Sequence, residues 1–177
     1  MLSTNFSLSE EDIKIVSHQL GRTPKNIIQI ARRCSYGFPV VIESSPVLEG
    51  KPFPTIYWLT CPYLRYQVSR LESNGGVARF EGLLSKSPKL YAEYVEAHLK
   101  SKEKAVELAQ NAPNSVLKRL SKCGMGGIED FEHIKCLHMH VAYHIGGIKN
   151  PVGRMILCEL KNVECNNGIC EKYTRER

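Results

Sequence analysis

Apolar residues recur three and four apart at Ile13, Val16 and Leu20, directly after Ser9 and the acidic run Glu10, Glu11, Asp12. The pattern predicts an amphipathic helix capped by Ser9, with carboxylates at its positive end and Gly21 as its stop. Thr23 and Pro24 stand in the favoured order for opening a second helix, one that carries Ile27, Ile28 and Ala31 towards Arg32, Arg33 and Cys34. After Gly37 the chain turns β-rich at 38–42 and again at 55–59. The Pro/Gly-rich connection through Pro46, Gly50, Pro52 and Pro54 predicts that these two strands pair. Cys61 and Pro62 open a further helix with Leu64, Val68 and Leu71 inward, closed at Asn74, Gly75 and Gly76. A short helical segment at 80–84 follows, and Ser87-Pro88 starts a long helix through Leu90, Tyr94, Ala97 and Leu108 that Pro113 stops. A short helix at 116–120 leads into a glycine loop at 123–127 and a last long helix over 129–145, while 154–160 fits strand and helix equally.

These elements give an α+β fold, mostly helical, with a small sheet of two strands or slightly more. A length of 177 residues predicts a single domain over 1–177, with 150–177 as a less ordered, cysteine-containing tail. Hydrophobic residues at 42% and charged ones at 24% set aside disordered and fibrous classes. The N-terminal stretch has no basic region followed by an apolar run, and nothing approaches the ~18 to 20 apolar residues that span a bilayer. A cytoplasmic protein without membrane attachment is the expectation, and its seven cysteines are then reduced, metal-bound or reactive rather than paired. The net charge of +6 is spread among acidic residues with no basic block, which argues mildly against nucleic acid. The glycine-rich nucleotide motifs and the G-x-S-x-G elbow are absent.

On a helix over 129–145, His133, Cys136, His140 and His144 share one stripe beside an apolar stripe of Ile134, Leu137, Val141 and Ile145. Cys136, His140 and His144 are successively four apart, the stacking that a zinc-like ion needs from thiolate and imidazole donors. His138 lies about 160° round the helix from His140, so it is either a buried hydrogen-bonding residue or a separate acid/base group. Cys61, at a strand end and a helix N-terminus, is a candidate fourth ligand, a candidate nucleophile with a stabilised thiolate, or an inert thiol. Cys34 is a weaker donor, and the spacing of Cys158, Cys165 and Cys170 matches no paired knuckle. Arg22, Arg33 and Lys135 are candidate anion contacts, and Gly126 and Gly127 precede a helix N-terminus suited to the same task.

GRTP at 21–24, RRCSYGFP at 32–39, PFPTIYWLTCP at 52–62, KCLHMH at 135–140 and NPVG at 150–153 resemble the uncharacterised bacterial family catalogued as domain of unknown function 501. The resemblance covers most of the chain and implies a bacterial cytoplasmic protein, without bringing an activity. Its KCLH string highlights His138, so a nonhelical turn at Cys136 would change the ligand set. The sequence reading is therefore a zinc-like site of Cys61, Cys136, His140 and His144. With an open position this becomes a metal-dependent hydrolase of a phosphorylated or carboxylated substrate, with His138 as proton donor. The rival is a non-enzymatic RNA- or protein-binding module with a structural metal, using Tyr36, Tyr57 or Tyr91.

Overall fold

A computed structural model describes residues 8–174, and the first seven residues of the N-terminal stretch read above lie outside it. Helix α1 (Glu10–Leu20) begins as predicted: the Asp12 N–H donates to Ser9 Oγ at 3.1 Å and the Ser9 N–H returns to Asp12 Oδ2 at 3.2 Å. Gly21 ends it at φ 70°, a left-handed turn that glycine enters without strain.

The chain after Pro24 is a strand, not the predicted helix. Strand β1 (Ile27–Arg33) pairs antiparallel with β2 (Pro39–Ser44), and β2 pairs with β5 (Tyr57–Leu59), Val41 opposite Leu59 and Ile42 opposite Trp58. Three β-branched isoleucines at 27, 28 and 30, with only Ile30 fully buried, outweigh the Thr-Pro start signal because the pleat gives each one a side. The predicted pairing of the other two strands holds, and the short β3 (Val47–Leu48) and β4 (Lys51–Pro52) form a separate hairpin between them. Every residue of β2 is buried, since Ile42 faces Val16 of α1 on one side while Val41 faces the main core on the other.

Helices α2 (Pro62–Ser73), α3 (Gly76–Lys86), α4 (Pro88–Leu108) and α5 (Asn114–Leu120) follow, then α6 (Leu137–Ile145) and α7 (Pro151–Glu159). The predicted helix over 129–145 is therefore cut to its last nine residues. Carboxylates explain the loss: Asp130 accepts from the Glu132 N–H at 2.8 Å, Glu81 from Ile134 at 2.8 Å and Glu72 from Leu137 at 2.6 Å. Backbone donors satisfied by side chains gain nothing from a helical turn. The ambiguous 154–160 lies in α7 up to Glu159, with Leu160 as its C-cap, and Asn150 caps the other end by accepting from the Gly153 N–H at 3.0 Å. Gly153 lets α7 press on α6, because a Cβ there would collide with the His140 carbonyl. No helix among the described residues is long and apolar enough to cross a membrane.

Candidate anion-binding site

Strand β5 runs straight into α2, the Thr60 and Cys61 N–H groups both reaching the Val40 carbonyl, at 2.9 and 3.4 Å. That fixes the direction of α2, and Arg65, Ser69 and Glu72, four and then three apart, share one side of it. Arg65 and Ser69 line a cavity of about 490 Å³ beside the start of α6, and Glu72 bonds to that start directly. Arg65 and Ser69 form one wall, Lys135, Cys136 and His138 another, and Thr55, Trp58 and Arg22 complete the rim.

Among the described residues the lining contains three cationic side chains and no Asp or Glu. Arg22 lies over the Trp58 ring, 5.4 Å from its centre. Arg65 Nη1 donates to the Gln19 carbonyl at 2.7 Å, and Lys135 Nζ to the Gly126 carbonyl at 2.9 Å. Each is positioned by a neutral group, and none has a carboxylate at ion-pairing distance among the described residues. Cations in a partly enclosed cleft, without a carboxylate paired to them, are the arrangement suited to an anion.

Beside these cations, His138 Nδ1 is 3.2 Å from Glu72 Oε2, and both side chains are about one-quarter exposed, so the ring is held yet reachable. Its Nε2 lies 3.1 Å from Ser69 Oγ and 3.1 Å from the Arg65 carbonyl oxygen. A carbonyl only accepts, so it favours a proton on Nε2, while the Glu72 carboxylate favours one on Nδ1. His138 is thus arranged to donate from Nε2, with Ser69 as a rotatable hydroxyl at the same point.

The family model described as protein of unknown function (DUF501) matches residues 30–158. The chain belongs to this family. No curated protein and no solved structure matches it. The DUF501 segment contains the whole Glu72–His138–Ser69 arrangement with Arg65 and Lys135, whereas Arg22, Cys165 and Cys170 lie outside it.

Several residues singled out in the sequence fall elsewhere in this DUF501 chain. Cys136 precedes α6 in an extended conformation, φ −163°, so the four-residue spacing does not put it above His140. His140 is wholly buried, its Nδ1 2.9 Å from Asn150 Nδ2, and His144 Nδ1 accepts from the Asn150 N–H at 3.1 Å beside a different cleft. Cys61 lies beside Cys170 and Cys165. These four side chains do not converge, and among the described residues no group of three or more His, Cys, Asp or Glu is arranged to hold a metal ion.

The thiolate expected at Cys61 is not favoured either. Burial pushes its pKa up to about 11 and outweighs the Leu64 and Tyr63 N–H groups at the helix start. Burial likewise raises the Cys136 thiol, which faces the Met139 and His138 N–H groups. Glu72 takes the Leu137 N–H at the start of α6, and Gly126 lines the cavity. Arg33 is committed to Asp12, with contacts of 2.7 and 2.8 Å. Tyr57 is buried against Glu43, while Tyr36 and Tyr91 are exposed.

Arg22, Lys135 and His138 meet at the cavity, and Arg65, Ser69, Glu72 and Trp58 were missed. Their trace was the i, i+4, i+7 spacing of three polar residues on a helix whose other side carries Leu64, Val68 and Leu71.

Proposed function

We propose that the protein is an enzyme acting on a small phosphorylated or carboxylated substrate, held in the α2–α6 cavity, with His138 as its proton donor. Arg22, Arg65 and Lys135 bind the anionic group, Arg favouring a planar two-point contact and Lys a point charge. Ser69 and Thr55 offer hydroxyls for orientation. In hydrolysis of an ester, the His138 Nε2 proton goes to the leaving oxygen as the bond to it breaks, water supplies the incoming oxygen, and a proton from that water restores the ring. Glu72 holds the ring in place from Nδ1.

The observation that carries this reading is the grouping in one cavity of three cations that, among the described residues, have no carboxylate partner, around a carboxylate-oriented histidine. A panel of phosphate and carboxylate monoesters tests it. Turnover of the best substrate should fall by about 10²- to 10⁴-fold in His138→Gln, with KM much less affected. Equal turnover in His138→Gln, or no saturable binding of any anion, would overturn the reading.

A further inference from the structure

The α2–α6 cavity does not end at Arg22. A second cleft of about 340 Å³ opens on the other side, and Leu20, Arg22 and Trp58 line both. The two halves differ in chemistry. Among the described residues the first holds Arg65, Lys135 and His138 without a carboxylate. In the second, the one acidic residue, Glu49, is paired with Lys25 at 3.0 Å, which leaves Arg22 as the cation at the junction. Its lining is aromatic and aliphatic: Phe53 and Trp58 stack at 5.8 Å with an interplanar angle of 12°, and Leu48 and Pro24 add apolar surface. Thr23, Ser44 and Asn26 supply polar groups at its edge.

The Trp58 ring is held in place for this role. Its Nε1 donates to the Thr55 carbonyl at 3.1 Å, Phe53 stacks with it, and the Arg22 guanidinium lies over it at 5.4 Å. A guanidinium fixed over an indole, and itself exposed, presents a planar charged surface on which another flat ring can stack. The combined space is within the range of small-molecule sites, which bury an apolar body and fix its orientation by a few polar groups.

We propose that the cleft takes a two-part ligand, a planar ring in the Phe53–Trp58 half joined to a phosphate in the Arg65–Lys135 half, with Arg22 contacting both. Nucleoside monophosphates and simple aryl phosphates share this chemistry. The inference rests on the anion reading of the first cavity and adds the ring to it.

Trp58 is the one tryptophan of the chain, so its fluorescence reports from the junction without a label. The full-length protein is titrated in parallel with inorganic phosphate, phenyl phosphate, adenosine 5′-monophosphate and adenosine. The expected result is saturable change with both phosphate esters at concentrations at least about tenfold lower than with inorganic phosphate. That matches one ring contact of roughly 1.4 kcal/mol or more. Phe53→Leu should bring the ester-to-phosphate ratio back towards one. A lower midpoint for adenosine 5′-monophosphate than for phenyl phosphate supports the proposal with a nucleotide as the source, and equal midpoints support it with an aryl phosphate. Esters that bind no more tightly than inorganic phosphate overturn the two-part ligand and leave the anion reading intact. Adenosine binding as tightly as its monophosphate overturns it too, and an absence of binding by phosphate and both esters overturns both readings.

Discussion

At the scale of single residues, the buried histidines set how the protein responds to acid. His98 Nδ1 accepts from the Met125 N–H at 3.1 Å, and His140 Nδ1 stands 2.9 Å from the Asn150 amide nitrogen. Both rings are fully buried, and neither Nε2 has a hydrogen-bond partner among the described residues. Burial lowers the pKa of His98 to about 4 and, with His98 adjacent, that of His140 to about 3. Their unfolded value is near 6.5, so below that pH the unfolded chain binds protons that the folded one refuses, and stability falls as pH falls. Stability is full above about pH 6.5, and each histidine should remove about 2 kcal/mol between there and pH 5. Urea midpoints at pH 7.5 and pH 5 check this, and a His98→Gln variant should flatten the slope even if it is less stable at neutral pH. Equal midpoints for the wild type would contradict it. Histidine spacing gave away none of this, because a helix-face pattern does not distinguish a ligand from a ring sealed in by Tyr94, Phe131 and Asn150.

At the scale of elements, Glu72 clamps α2 to α6. One carboxylate oxygen accepts the Leu137 N–H and the other faces His138 Nδ1. Glu72→Gln keeps an oxygen for Leu137 and loses the charge beside the ring, so thermal melts should change little while turnover falls tenfold or more. Glu72→Ala leaves a backbone donor without its partner at the helix start and should cost about 1–3 kcal/mol in addition. Comparable melting and turnover in all three proteins would count against the clamp. Gly153→Ala tests the neighbouring contact between α6 and α7: forcing a methyl group onto the His140 carbonyl should destabilise by about 1–3 kcal/mol, read from the urea midpoint. Elements with strong local punctuation were legible: Ser9 and Gly21 around α1, Ser87-Pro88 before α4, Cys61-Pro62 before α2. The two that were misread are those where distant partners decide. Strand β1 exists because β2 accepts it, and 129–136 stays irregular partly because Glu81 and Glu72, far back in the chain, take its N–H groups.

At the scale of the whole molecule, the cavity brings together segments far apart in the chain: the turn after α1, the β5–α2 junction and the start of α6. Lys135 and His138 could be singled out because they sit in a short histidine- and cysteine-bearing string, and Arg22 because it follows a helix stop. Arg65, Ser69 and Trp58 could not, since on a sequence they look like the polar side of one helix and a strand aromatic. What singles them out is that, among the described residues, the cations around them have no carboxylate at ion-pairing distance, a property of the folded surface alone. The most direct test of that assignment is calorimetric titration of the full chain with inorganic phosphate at low and high salt, beside Lys135→Ala. The account predicts one saturable site, weakened by salt and weakened about tenfold or more in the variant, as expected for loss of a charge-assisted contact. Binding equally tight in Lys135→Ala, or no heat of binding at low salt, would contradict it.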